Sequence, residues 1–339
     1  MDWFERLTGF REAGYDDTRS RLEVDGRQLR SRKNGRSYGI GELELVSLRS
    51  LRERAASGGG LPGRLALRNV SGDVRRFHQS SEYAGALFQV ASQFNLLEMV
   101  SPEVTPNQGV TRYQTDKTQG PACAIAAGAG TIYRNYFVPV GDQLGQTATR
   151  QLDGLADIGT ALAQALGLPV SALWTMRNGY ALCSREGLSA IGTHLCALSP
   201  AEKDTLRALL RIGVHLDVEV TDAERSQRPV VSQAFCSALP VSKAYTNVPA
   251  ALWQAFAELV LEAAYEATLW AAVLNARRGA SNIVLLTRLG GGAFGNDDAW
   301  IDAAMRRALT KVKDFHLNVH LVSFSTPLPS MLALEKAFR

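Results

Sequence analysis

Near its C-terminal end the chain reads IVLLTRL over residues 283–289, then Gly290-Gly291-Gly292-Ala293-Phe294-Gly295-Asn296, then an amphipathic stretch over 298–312. A buried strand, a glycine loop and a helix make an anion site by construction. Glycine lets the backbone take positive φ and lets a ligand come close. The N–H groups of the loop and the first helical turn then face that ligand. In an open α/β sheet this corner lies at the carboxyl ends of the strands, where ligands bind. The loop is not a P-loop, because no Lys-Ser or Lys-Thr follows Gly295, and it fits no GxGxxG register. The plainer reading is a tight turn that needs glycine for geometry alone. Three consecutive glycines and a fourth directly after an apolar run favour phosphate.

The rest of the chain is punctuated in the same style. Residues 65–70 alternate, and 85–91 (GALFQVA) form a short apolar run bounded by polar residues, as a buried strand would. Residues 153–166 carry a helical apolar rhythm stopped by Gly167 and Pro169, and Ser199-Pro200-Ala201-Glu202 opens another helix with a capping box. Residues 215–220, 230–238 and 318–324 read as strands. Residues 249–275 read as a long helix with Trp253, Phe256, Val260 and Leu261 on its core side. Glu258, Glu262 and Glu266 share one face of that helix, expected to meet solvent. Alternating strands and helices predict an α/β fold with a mainly parallel sheet covered on both faces.

Residues 1–62 are charged and close on Ser57-Gly58-Gly59-Gly60 and Pro62, which reads as a flanking segment and linker. The main domain is expected over 63–330, with a mostly helical insertion at about 101–199 and a tail over 331–339. With 339 residues, 46% of them hydrophobic, the chain can bury a sizeable core. A net charge of +4 gives no reason to expect a nucleic-acid partner. Arg27, Arg30, Arg32, Lys33 and Arg36 cluster near the N-terminus and read as a solvated arm. Cys123, Cys183, Cys196 and Cys236 are widely spread, so neither a disulfide framework nor a zinc site is expected. His316 and His320 fall on a strand, where four residues span about 13 Å, too far to share a metal. The opening MDWFERLTGF is charged rather than apolar, and no apolar stretch reaches membrane-spanning length. A cytoplasmic protein is expected, or one delivered to a host cytoplasm if it is an effector.

The C-terminal third also resembles a macro domain, the module that binds ADP-ribose. Ala263-Ala264-Tyr265-Glu266-Ala267-Thr268-Leu269 is similar to the family's helix before the phosphate loop, Gly291-Gly292-Ala293-Phe294-Gly295 to the loop itself, and Ile301-Asp302-Ala303-Ala304 to the helix after it. The resemblance runs from Leu65 to Phe324, and it implies a three-layer α/β/α fold with a mixed, mostly parallel central sheet. Ser71-Gly72-Asp73-Val74 resembles the element whose aspartate takes the adenine amino group, which gives Asp73 that role. Residues 90–95 (VASQFN) stand where the family has VNAAN, so Phe94 and Asn95 are implied around the distal ribose. Gly120 closes the first ligand loop, Gly290 to Asn296 hold the diphosphate, Phe294 packs on ribose, and Phe324 stacks on adenine. The ligand implied is ADP-ribose, with no metal and no further cofactor. The stretches QVASQFN, GVTRY, TQGPACA, YRNY and RNGYAL resemble a divergent branch that includes a bacterial effector removing ADP-ribose from arginine of ubiquitin.

Cleaving ADP-ribose from a side chain breaks the anomeric bond through an oxocarbenium-like transition state. A carboxylate that activates water and a donor that helps the leaving group suit that chemistry. Glu98 lies among Leu96, Leu97, Met99 and Val100, where burial would raise its pKa. Asp116 lies in the polar stretch 109–120, and its plainer reading is a turn aspartate. Asp297 and Asp298 follow the phosphate loop, where aspartate is a routine helix cap. Asp222 ends a strand. The functions these residues allow are a hydrolase acting on an ADP-ribosylated protein, at arginine and with ubiquitin among its targets, a non-catalytic reader of ADP-ribose, or an enzyme on a free ADP-ribose-containing nucleotide.

Overall fold

The computed structural model describes residues 1–224 and 228–339. Its centre is a seven-stranded sheet of β1 (Glu42–Ser47), β2 (Ala66–Ser71), β3 (Leu87–Ala91), β4 (Arg211–Glu219), β5 (Val230–Cys236), β6 (Ile283–Leu286) and β7 (Asn318–Ser323). The spatial order is β1-β4-β5-β3-β6-β7-β2. From β5 to β2 every neighbour is parallel, while β4 runs antiparallel to both β1 and β5. The expected strands and the mixed, mostly parallel sheet are therefore present.

Alternation along β3 shows how the two faces are filled. Leu87 joins the core under the long helix Ala250–Arg277, and Gln89 donates to Thr268 of that helix at 3.0 Å. Phe88 and Val90 point the other way, into a core with Val74, Cys123 and Ala126 from the helices Val74–Gln79 and Gln119–Ala126. Asp298–Lys311 and Leu48–Ser57 pack beside the long helix and complete a three-layer α/β/α arrangement. Among the described residues no helix is long and apolar enough to cross a membrane.

Four expectations change. The glutamate stripe does not face solvent along its length: Glu266 is 1% exposed and accepts from Arg52 Nε at 2.7 Å and from Arg307. The neighbouring helices bring those arginines onto that face. Residues 1–62 are not a flanking linker, since β1 is an edge strand of the sheet and Leu48–Ser57 packs on the long helix. The basic cluster is no loose arm, because it decorates a three-stranded sheet of Leu22–Asp25, Gln28–Ser31 and Ser37–Gly39. Trp3, Phe4, Phe10, Tyr15 and Tyr38, sparse among charges, anchor this region against Leu97, Met99, Tyr113, Ile132 and Tyr136. The expected tail is covered largely by the helix Pro329–Ala337, held by buried Met331 and Leu334. The insertion carries, besides its helices, a hairpin of Trp174–Arg177 and Tyr180–Cys183.

Candidate functional site

The carboxyl ends of β3, β5 and β6 open into a cleft of about 720 Å³, counting the space at its mouth. Two loops face each other across it.

The first is the glycine loop after β6. Tyr265 of the long helix fixes its entry: the hydroxyl donates to Thr287 O at 2.7 Å and accepts from Leu289 N at 2.8 Å. Gly290 sits at φ +75°, and a Cβ there would lie 2.5 Å from Ala238 Cβ, so only glycine makes this turn without strain. Gly295 N donates to Gly292 O, and Asn296 N donates back to Gly290 O. Asn296 is buried, and its Nδ2 donates to Leu239 O at 2.8 Å, so it staples the loop from behind. Among the described residues no hydrogen bond engages the N–H groups of Gly292, Ala293 and Phe294. Consecutive free N–H groups in a glycine loop form an anion-binding nest. Gly290, Gly292, Ala293 and Phe294 line the cleft, whereas Gly291 turns its N–H to Arg288 O. Phe294 packs against Tyr180 and Tyr245 at ring separations of 5.3 and 5.6 Å.

The second loop follows β3. Gln93 N donates to Leu97 O, and Gln93 Oε1 accepts from Met99 N at 2.7 Å, which folds residues 93–99 into a tight turn with Leu96 at φ +64°. The turn delivers Glu98 to the cleft. Glu98 is 2% exposed, and burial lifts its carboxyl to about 7 even though the Arg134 guanidinium opposes the shift. Its Oε1 lies 3.4 Å from Arg134 Nη2, while Oε2 has no protein partner among the described residues. Asp116 lines the same cleft and accepts from Thr118 N and Oγ1 at 2.8 and 2.7 Å. Gly120, at the start of Gln119–Ala126, also lines it; a Cβ there would fall 1.9 Å from Ala91 O. That close approach requires glycine.

Other expected residues lie elsewhere. Phe94 is buried in the main core. Asn95 is fully buried: its Oδ1 accepts from Leu97 N at 3.1 Å and its Nδ2 donates to Gln151, so it holds the turn rather than lining the cleft. Counting along the chain from β3 misplaces both, because the turn doubles back and presents Ser92, Gln93 and Glu98 instead. Asp297 caps the helix Asp298–Lys311 through Ala299 N, and Asp298 pairs with Arg288 at 2.7 Å. Asp222 is bound to Arg75 and Gln79. None of these three acids lines the cleft. Asp73 caps Val74–Gln79 through Arg75 N, and Phe324 is 85% exposed just past β7. Both lie beyond the cleft lining but on the same edge of the sheet, since β7 and β2 pair in parallel with Ser323 beside Ser71.

Sequence reasoning missed Gln93, Gln119, Tyr180, Tyr245 and Arg288, all of which line the cleft. Tyr180 was within reach, because Asn178-Gly179 is a hairpin signal, and both residues have positive φ as that turn requires. Arg288 is the one charge in an apolar run, and it is oriented by Asp298 and Asp302. Gln119 carries no such signal: it bridges Ala91 N and Gln89 O like an added rung on β3. Among the described residues no group of three or more His, Cys, Asp or Glu is gathered as a metal site would need.

No protein-family model matches the chain, and no curated protein matches it. Among solved structures it is similar to poly(ADP-ribose) glycohydrolase from Thermomonospora curvata, with 12% identity over 94% of this chain and 93% of that one and a TM-score of 0.43. The same enzyme bound to the inhibitor ADP-HPD gives 13%, 94%, 92% and 0.41. Poly(ADP-ribose) glycohydrolase from Deinococcus radiodurans in complex with ADP-ribose gives 13%, 87%, 92% and 0.39.

Proposed function

We propose that the protein is an ADP-ribosyl hydrolase that releases mono-ADP-ribose from a modified protein, with arginine as the linked residue and ubiquitin among the targets. One observation carries the reading: the free N–H row of Gly292, Ala293 and Phe294 shares a cleft with Glu98, a buried acid that keeps one oxygen unpartnered. The nest takes the diphosphate. The adenosine half extends along the sheet edge toward Asp73 and Phe324, and the distal ribose falls between the two loops. There Glu98, its carboxyl raised to about 7, takes a proton from water as the water attacks the anomeric carbon; the anomeric C–N bond breaks with its electrons going to the guanidinium nitrogen, and the neutral guanidine, released beside Asp116, takes up a proton. Two carboxylates with Tyr180 and Tyr245 make this end of the cleft suited to a cationic guanidinium, which supports arginine over serine or glutamate.

The test is release of free ADP-ribose from arginine-, serine- and glutamate-linked protein conjugates. Release from the arginine-linked conjugate is expected, and no release from any of the three would contradict the reading. A second reading, a non-catalytic reader, draws on Asp116 being tied into its own turn and Glu98 being paired with Arg134. It predicts binding of all three conjugates without turnover.

A further inference from the structure

Arg134 is a guanidinium with no exposed surface. It reaches from the helix Gly128–Tyr136 to four partners. Nε donates to Leu96 O at 3.1 Å, Nη2 donates to Thr131 Oγ1 at 3.1 Å and faces Glu98 Oε1 at 3.4 Å, and the guanidinium carbon stands 3.8 Å over the ring of Phe235 on β5. Leu96 is the residue at positive φ in the turn that delivers Glu98, a conformation uncommon for a branched side chain. One guanidinium thus holds both the strained peptide and the carboxylate two residues later. Burying an arginine is costly unless its partners are well placed, and packing alone would be served by an apolar side chain.

The geometry points to Arg134 as the positioning residue of the cleft: it anchors the β3 turn through Leu96 O and binds Oε1 of Glu98, leaving Oε2 free to act on water. This rests on the hydrolase reading. Arg134 does its work through Glu98 and does not line the cleft itself. The other groups around the pair do not compete for this role. Tyr113, whose hydroxyl accepts from Glu98 N at 3.0 Å, is pushed well up by burial, as is the thiol of Cys123 on Gln119–Ala126. His215 on β4 is pushed down to about 3 by burial and stays neutral. Asp116 is tied to Thr118 N and Oγ1 within its own turn. Arg134 is therefore the cation that favours the ionised form of Glu98 against the burial that raises it.

The test is a titration of carbon-13-labelled glutamate side chains followed by NMR, with the Glu98 signal assigned by its loss in Glu98→Gln. Arg134→Met should raise the Glu98 midpoint by about one pH unit or more, as loss of an opposite charge at this range does. The rising limb of the cleavage rate should move up with it, while ADP-ribose affinity is kept. Arg134→Lys, which restores the charge, should bring the midpoint back toward wild type. Should Arg134→Met fail to fold, Thr131→Val loosens the same guanidinium and should shift the midpoint in the same direction by less. A Glu98 midpoint unmoved in every folded variant would overturn the inference. Because the titration is read without turnover, wild-type protein that releases no ADP-ribose would count against the hydrolase reading alone.

Discussion

Arg134 and Glu98 face each other at 3.4 Å, both buried, with Glu98 lining a cleft whose other wall is a glycine loop with N–H groups that make no hydrogen bond among the described residues. The pair joins the chemistry of the site to the turn that shapes it. Glu98→Gln should abolish cleavage and leave ADP-ribose binding within a few-fold of wild type. It should also change the pH dependence of stability. The Glu98 carboxyl is raised to about 7 in the folded protein, so its contribution is present below the ordinary glutamate range and is lost as pH rises through 7. Denaturant unfolding of the wild type should therefore lose on the order of a few kcal/mol across that window, and the Gln variant should not.

The hydroxyl of Tyr265 makes two bonds at the entry to the glycine loop, to Thr287 O and from Leu289 N. Tyr265→Phe should cost about 1–3 kcal/mol, because the buried N–H and carbonyl are left unpaired. The loosened loop should bind ADP-ribose more weakly. Thermal unfolding and a binding titration on the same sample check both effects.

Two glycines in the cleft should respond differently to alanine. Gly120→Ala would drive a methyl into Ala91 O and should destabilise the fold by about 2–4 kcal/mol. At Gly292 an added Cβ meets nothing within 4 Å, so Gly292→Ala should fold with near wild-type stability. Urea unfolding of the two variants distinguishes them.

Stability should fall in acid. Burial lowers His78 to about 4 and His215 to about 3, so both stay neutral in the fold. A histidine lowered in this way stabilises above its unfolded pKa of about 6.5, and that contribution disappears as pH falls through the folded value. Each should cost on the order of 3–5 kcal/mol by the bottom of that window, opposed in part by protonation of Glu98. His78→Phe should flatten the acid slope in denaturant titrations, whatever it does to stability at neutral pH.

Features carried by local pattern were legible in the sequence. The glycine loop, its flanking helices and the capping box at Ser199 follow from residue types a few positions apart. Glu98 stood out as an acid in an apolar stretch, and the structure buries it beside the cleft. Features set by the path of the chain were not legible. Asn95 sat at the expected count after β3, but a turn through Leu96 at positive φ buries it and brings Gln93 and Glu98 forward. Glu266 looked solvated because the arginines that cover it, Arg52 and Arg307, are far away in sequence. The N-terminal segment hid its core residues among charges, and Glu12 shows how firmly it is joined: its carboxylate accepts from Val110 N, Thr111 N and Tyr136 Oη, bracing the stretch that leads to Asp116.

Titration calorimetry of the wild-type protein with ADP-ribose, against ADP, AMP and NAD, decides whether the cleft is an ADP-ribose site. The site described here predicts one ADP-ribose per chain, bound more tightly than the other three because only it offers both a diphosphate to the glycine loop and a free distal ribose to the Glu98 wall. No heat with any of the four nucleotides would contradict an ADP-ribose site in this cleft.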